Sequence, residues 1–164
     1  MGCDIHCYIE YRREGGSWDS FGGEISPGRC YDLFELLAGV RGSKEKAVVP
    51  PRGMPGDPAF RADLDHKFLI STGGGDGHTT PEMAARYVKD CGAKYIMGGP
   101  GVIGWVTNPD FHTHSWLTVE ELREVLIQYH RLASECPEYH AMLAAMMMFE
   151  RSGCESRLVF WFDN

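Results

Sequence analysis

The chain has 164 residues, a formal net charge of −7 at pH 7, 43% hydrophobic residues and 24% charged residues. This length and composition are typical of a globular protein, and we expect a single domain spanning residues 1–164. The negative charge argues against nonspecific binding to duplex DNA, which depends on Lys and Arg neutralising phosphates, and no apolar run is long enough to span a membrane. An acid and a histidine stand where a signal peptide would be apolar, so we expect a cytoplasmic protein.

The chain begins MGCDIHCYIEYRR, and residues 3–12 read as a β-strand because Cys, Ile and Tyr recur on alternating positions. Residues i and i+2 of a strand share a face, so Asp4 and His6 point the same way. A second short strand is expected within SWDSFGGEIS. The segment YDLFELLAGVRG then predicts a short helix that ends at Gly39 or Gly42.

Residues 43–66 contain four prolines and predict an ordered loop or a lid. HKFLIST is expected to form a strand, and GGGDGHTT a glycine-rich turn. PEMAARYVKDCG predicts a helix with Pro81 at its first position and Gly92 past its end. AKYIM and GVIGWVT predict two further strands around a GGPG turn.

Thr118 and Glu121 have the spacing of a capping box and predict the start of a helix. Pro137 starts a further helix that continues toward Gly153. The terminal run RLVFWF does not alternate with polar residues, which is typical of a central strand buried on both faces. The fold class is therefore α+β, with an antiparallel or mixed central sheet that contains the N- and C-terminal strands and with helices packed mainly on one side.

The segment DFHTHS carries the second cluster of metal-competent side chains. In extended backbone, Asp110, His112 and His114 would all lie on one side. Together with Asp4 and His6 they form a candidate set of three imidazoles and two carboxylates, which suits a divalent metal such as zinc or manganese. Such an ion lowers the pKa of bound water to about 7 and supplies hydroxide for attack on phosphorus.

Two other interpretations of these residues remain open. His6, His112 and His114 would also serve as catalytic acid and base on a phosphodiester without metal. Alternatively, Asp4 and His6 form a buried structural pair and Asp110 caps the turn before the helix. DFHTHS resembles the first metal motif of the polymerase-and-histidinol-phosphatase phosphoesterases, but it stands too late in the chain, so we take this similarity as local chemistry.

Three arginines, Arg29, Arg41 and Arg52, lie in or beside glycine-containing loops and are candidates for holding phosphate, because the planar guanidinium matches phosphate oxygens. The alternative is that they are surface residues paired with the excess of acids. Trp116 is a further candidate substrate-binding residue, which would stack on a base.

The segments MGCDIH, GRCYDLFELLAGVRG, PPRGMPGDP and HTHSWLT together resemble an uncharacterised family of small proteins found in bacteriophages and prophages. Members typically open MGCDIH and carry a GRNYDLF-type helix, a PRGxP loop and a DxHSHS segment. The chain departs from this pattern at Cys30, where relatives tend to have Asn, and at Thr113, where they tend to have Ser. The resemblance implies a phage accessory protein in the cytoplasm of a bacterial host, where such proteins often act against host defence.

These observations lead to three hypotheses. The first is a metal-dependent phosphodiesterase acting on a small nucleotide, such as a cyclic-nucleotide immune signal. The second is a sponge that binds and sequesters a nucleotide messenger without cleaving it. The third is a structural or protein-binding phage factor. A homo-oligomer would fit either of the first two, because it would bring arginines from two chains to one anionic ligand.

Overall fold

The computed structural model describes residues 2–96, 104–129 and 135–164, and these form eight strands and five helices. The strands are β1 Ile5–Arg13, β2 Asp19–Ser20, β3 Lys67–Ile70, β4 His78–Thr79, β5 Tyr95–Ile96, β6 Trp105–Thr107, β7 His112–Thr118 and β8 Cys154–Phe162. The helices are α1 Tyr31–Ala38, α2 Phe60–Asp65, α3 Pro81–Cys91, α4 Val119–Tyr129 and α5 Pro137–Arg151. The α+β class predicted from the sequence is confirmed, whereas the predicted GGPG turn lies outside the described residues.

The first sheet has the strand order β2-β1-β8-β7, and all its neighbouring strands are antiparallel. The two longest strands, β1 and β8, pair along their whole length, from Ile5 opposite Phe162 to Arg13 opposite Cys154. The N- and C-terminal strands therefore lie together at the centre of this sheet, as predicted. Every residue of β8 from Ser156 onward is buried, which confirms a central strand covered on both faces.

The two faces of the first sheet are covered differently. On one face, Ile5, Cys7 and Ile9 of β1 and Leu158, Phe160 and Phe162 of β8 pack against α1, α4 and α5 in the main hydrophobic core. The opposite face carries Tyr8, Val159 and Trp161, which pack with Ala62 of α2 and with Met54, Phe111 and Trp116. The helices thus lie mainly on one side, and the other side is covered by α2 and by loop residues such as Met54 and Phe111.

A second, smaller sheet with the order β4-β3-β6-β5 is built from residues 67–107. Its β3–β6 and β5–β6 pairs are antiparallel, and β4 runs parallel to β3. Helix α3 packs on it through a small cluster that includes Ala84, Ala93 and Val106. The proline-containing stretch before this sheet is ordered and contains the 3₁₀ turn Lys44–Lys46 and α2.

The helix ends follow from local chemistry. Gly39 and Gly92 end α1 and α3 in the left-handed conformation, with φ of 68° and 74°, which glycine adopts without steric cost. At the start of α4, Glu121 accepts from the Thr118 amide at 2.9 Å and the Thr118 hydroxyl accepts from the Glu121 amide at 3.3 Å. This is the capping box that the sequence predicts. Among the helices of the described residues, none has both the length and the apolar character needed to cross a membrane.

Candidate functional site

His6 lies on the polar face of β1 between two carboxylates. Its Nδ1 is 2.7 Å from Glu24 Oε1, and its Nε2 is 3.2 Å from Asp163 Oδ2. The ring also packs against Phe111, at a centroid distance of 4.8 Å, and on Trp161, at 5.9 Å. Each ring nitrogen of His6 thus faces one carboxylate oxygen.

Tyr8, two residues further along the same face, extends the network. Its phenol donates to Asp65 Oδ2 at 2.9 Å and lies 3.4 Å from Glu24 Oε2. Burial, followed by the hydrogen bond to Asp65, raises the pKa of the Tyr8 phenol well above its ordinary value, so it remains a donor. Glu24 and Asp65 are therefore held near each other by one hydroxyl group.

These two carboxylates open onto a cleft of about 530 Å³ whose other lining residues come mainly from α2, the second sheet and the turn before β7. Three aromatic residues, Phe68, Trp105 and Phe111, line it. The polar lining groups are Glu24, Asp65, Lys67, Asp76, His78 and Asn108. We call this space the inter-sheet cleft.

The charges of the inter-sheet cleft are unequal. The ammonium of Lys67 is 2.7 Å from Asp63 Oδ2 and 4.9 Å from the centroid of the Trp105 ring, so its charge is already paired. Three carboxylates, from Glu24, Asp65 and Asp76, face the same space. The cleft therefore offers a ligand mainly hydrogen-bond acceptors and aromatic rings, and its Lys67 charge is already neutralised by Asp63.

Asp4 lies on the same face of the sheet as His6 but makes a different contact. Its carboxylate forms a two-pronged ion pair with Arg29, with Nη2–Oδ2 at 2.7 Å, and the hydrogen bond from Arg29 lowers the pKa of Asp4 below its ordinary range. Arg41 donates from Nη2 to the Gly2 carbonyl at 2.9 Å. Arg29 and Arg41 thus hold the N-terminal segment, and neither lines the inter-sheet cleft.

The second predicted cluster is divided by a β-bulge. Thr113 has φ of 51°, and the register between β7 and β8 shifts between His112 and Ser115. As a result His112 stacks on Phe162 and His114 stacks on Trp161, and these two consecutive residues of β8 face opposite sides of the sheet. The expectation that both histidines share one side is wrong, because the bulge interrupts the strand alternation on which it relied.

The five predicted metal ligands are therefore not brought together. Strand β8 lies between β1 and β7, and the indole of Trp161 stacks with both His6 and His114. Asp110 is exposed in the turn before β7. Within the three described ranges, no group of three or more His, Cys, Asp or Glu side chains is close enough to hold a metal ion. A metal centre built from these residues stays a prediction.

His114 is instead a partly buried histidine whose ring is neutral near pH 7. Burial, and then the proximity of His66 and His112, lowers its pKa to about 4. Its Nε2 and the indole Nε1 of Trp161 are buried without a hydrogen-bond partner among the described residues. His66 packs edge-on against the His114 ring at a centroid distance of 5.8 Å.

Arg52 and Trp116 belong to a stack outside the inter-sheet cleft. The Arg52 guanidinium lies 4.3 Å from the centroid of the Trp116 ring and forms a two-pronged pair with Glu121. The stack continues to Arg157, which lies 5.9 Å from Trp116 and 3.8 Å from the ring of Trp18. This arrangement supports the alternative reading of Arg52, in which it pairs with an acid.

The sequence patterns pointed to His6 but missed Glu24 and Asp65 in the network around it. Glu24, Asp65 and Asn108 lie in turns or at a helix end, outside any spaced motif. The one available signal was the glycine-rich segment GGGDGHTT, whose Asp76, Gly77 and His78 line the cleft. Comparison of the chain with known protein families, with curated proteins and with solved structures found no match.

Proposed function

We propose that this protein is a phage accessory protein that binds a small nucleotide in the inter-sheet cleft. The observation that carries the proposal is the combination of aromatic residues, among them Trp105 and Phe111, with several hydrogen-bonding groups around one open space of about 530 Å³. A nucleotide offers a flat aromatic base, a ribose with hydroxyl donors and a charged phosphate. Pockets for such ligands are mostly apolar, with a few placed polar groups.

The test is direct binding. Purified protein is incubated with a panel of cyclic mono- and dinucleotides, ADP-ribose and linear nucleotides, and its melting temperature and ligand occupancy are measured. We expect at least one member to raise the melting temperature, and to raise it further as its concentration increases above the dissociation constant. If no nucleotide in the panel binds at millimolar concentration, the proposal is wrong.

A matched pair of tryptophan variants locates the binding. Trp105 lines the inter-sheet cleft, whereas Trp18 lines a separate groove on the first sheet together with Arg12 and Arg157. We expect Trp105→Leu to weaken nucleotide binding by roughly tenfold or more, since stacking on an aromatic side chain contributes about 1–3 kcal/mol per base. Trp18→Leu should leave the affinity unchanged. Equal effects of the two variants would place the ligand elsewhere.

The second candidate is cleavage of the bound nucleotide, including the metal-dependent phosphodiesterase activity predicted from the sequence. The observation that favours it is the convergence of Glu24 and Asp65 on the Tyr8 hydroxyl at the floor of the cleft. Such a pair supplies an acid and a base, or two oxygen ligands for an ion such as manganese. His6 would hold Glu24 in place.

Recovery of the bound nucleotide distinguishes cleavage from binding without cleavage. After incubation the protein is denatured by heat and the released material is analysed. Intact nucleotide supports the sponge, and fragments support the hydrolase.

The presence of a metal is tested separately. Protein purified without added metal or chelator is analysed for ion content beside His6→Ala. A stoichiometric ion in the wild type that is lost in the variant supports a metal centre at His6, whereas cleavage that persists in EDTA contradicts a metal-dependent mechanism.

A further inference from the structure

We infer that the inter-sheet cleft recognises a guanine base, with Asp65 and Asn108 reading its hydrogen-bonding edge. This inference rests on the proposed function and names the ligand class of the same cleft. It begins with Asp65, the last residue of α2. Its Oδ2 accepts from Tyr8 at 2.9 Å, and within the described ranges its Oδ1 accepts no hydrogen bond. The contact with Tyr8 fixes the carboxylate, and the second oxygen remains available at the cleft.

Asn108 supplies the complementary group. Its side-chain Oδ1 accepts from the backbone amide of Asp110 at 3.0 Å, which fixes the orientation of the amide because only the oxygen can accept from an N–H. The Nδ2 group is therefore left as a donor, and no acceptor for it is present in residues 2–96, 104–129 or 135–164. The backbone amide of Asn108 donates to the His66 carbonyl at 3.3 Å, which places Asn108 beside Asp65.

The cleft thus presents a carboxylate acceptor and an amide donor, and the rings of Phe111 and Trp105 belong to the same lining. The Watson–Crick edge of guanine carries two adjacent donors, N1–H and N2–H, followed by the O6 acceptor. It would engage both oxygens of Asp65 and the Nδ2 group of Asn108. Adenine and cytosine each offer one donor on this edge beside a lone pair, which would face one of the carboxylate oxygens. The uncompensated acceptor makes them weaker ligands.

The charge of the cleft supports recognition through the base. Glu24, Asp65 and Asp76 make the space acidic, and Lys67 is already paired with Asp63. A phosphate on the floor of the cleft would meet these carboxylates, whereas an uncharged base would donate hydrogen bonds to them. We therefore expect the nucleoside part to account for the selectivity, with any phosphate directed outward toward solvent.

The experiment measures the affinity of wild-type protein for four nucleosides by titration calorimetry. Nucleosides are used so that phosphate contributes nothing. Guanosine should bind best. Inosine lacks the 2-amino group and should bind about tenfold to a hundredfold more weakly, the loss expected for one hydrogen bond to a charged acceptor. Adenosine and xanthosine should also bind more weakly, since the C2 carbonyl of xanthosine would face the carboxylate. Equal affinities for guanosine and adenosine would overturn the inference.

The variant Asp65→Asn sharpens the test. The amide places a donor where the carboxylate has an acceptor, so the variant should lose at least tenfold in guanosine affinity and should prefer xanthosine over guanosine. Asp90→Asn removes the same charge from an exposed position of α3 outside the cleft and is the matched control, which should keep the preference for guanosine. If the wild type and both variants all prefer guanosine, Asp65 does not contact the base and the inference is wrong.

The outcomes separate this inference from the proposed function. Binding of nucleotides with no selectivity for guanine contradicts the inference and leaves nucleotide binding in place. Absence of binding by every nucleoside and every nucleotide contradicts both. The ranking on wild-type protein decides the first point even if Asp65→Asn does not fold.

Discussion

His6 and Asp163 are 157 positions apart in the chain, and the Nε2 of one lies 3.2 Å from a carboxylate oxygen of the other. The backbone of Asp163 also pairs with Asp4, since its amide donates to the Asp4 carbonyl at 3.1 Å and its other carboxylate oxygen accepts from the Asp4 amide at 2.9 Å. The acid and the histidine at the start of the chain thus fasten the N-terminal strand to the end of the C-terminal strand.

This relationship predicts a structural effect of His6→Ala. The variant loses contacts to Glu24 and Asp163, both of which are partly solvated, and the packing of the ring on Phe111 and Trp161. We expect a loss of about 1–2 kcal/mol in the free energy of unfolding, measured by urea denaturation. His78→Ala, which removes an exposed histidine, should change it by less than about 0.5 kcal/mol. Equal losses would show that His6 carries no special structural role.

The turn after α1 provides a second prediction. A Cβ at Gly39 would lie 2.5 Å from the backbone Cα of Lys44, and Gly39 has φ of 68°. We expect Gly39→Ala to destabilise the fold by about 2–4 kcal/mol, the sum of left-handed strain and a clash with rigid backbone. Gly92 has φ of 74° and open space around it, so Gly92→Ala tests the strain alone and should cost about 1 kcal/mol. Equal effects would mean that the backbone at Lys44 yields to the added methyl group.

Local signals in the sequence were sufficient for much of the fold. The alternation in residues 3–12, the apolar run RLVFWF, the glycines after α1 and α3 and the Thr118–Glu121 box all act over a few residues, and the structure confirms each. The sequence predicted one central sheet, whereas the structure has two. The second sheet depends on the pairing of β3 with β6, which are far apart in the chain, and no local pattern marks such a pairing.

The residues of the candidate site were harder to predict from local sequence patterns than the strands and helices. A two-residue periodicity assumes regular backbone, and the positive φ of Thr113 reverses the side on which the preceding residues lie. The partners of His6 come from a turn before α1 and from the end of the chain, and Asp65 reaches the same network from α2. Contacts of this kind depend on the assembled fold, so no spacing within the sequence marks them.

The buried pair of Glu10 and Arg157 yields a third prediction. Glu10 has no exposed surface, and it accepts from Arg157 Nε at 2.7 Å and from the Ala59 amide at 2.8 Å. Arg157→Leu leaves this carboxylate without its cation and should destabilise the protein by about 3–5 kcal/mol. Glu155→Gln removes the exposed partner of Arg12 and should change stability by less than about 1 kcal/mol.

The effect of Arg157→Leu should also depend on pH. Burial already raises the pKa of Glu10 in the intact protein, and loss of the guanidinium raises it further. A folded-state pKa above the unfolded value means that stability is lost as pH rises through it. The variant should therefore be closer to the wild type at pH 5 than at pH 8 when both are unfolded in urea. A difference independent of pH would show that lost packing on Trp18, and not the unpaired charge of Glu10, explains the destabilisation.

His114 yields the last prediction, in which stability falls as the solution becomes more acidic. Its folded-state pKa of about 4 lies below the ordinary value of 6.5, so between these values the unfolded chain binds a proton that the folded protein does not. Stability should therefore decrease as pH falls from 7 to 4.5, by up to about 3 kcal/mol from this residue. His66, whose pKa is also lowered by burial, adds to the slope in the same direction.

The measurement compares the free energy of unfolding from pH 7.5 to 4.5 for the wild type, His114→Gln and His78→Gln. The first variant removes the titrating group and should show a shallower slope, while the second should keep that of the wild type because His78 is exposed. Among the described residues, His114 Nε2 and the neighbouring Trp161 Nε1 are buried without a hydrogen-bond partner. A proton added to Nε2 would therefore find no carboxylate to donate to. An unchanged slope in His114→Gln would mean that the imidazole accepts a proton in the folded state as readily as in the unfolded chain.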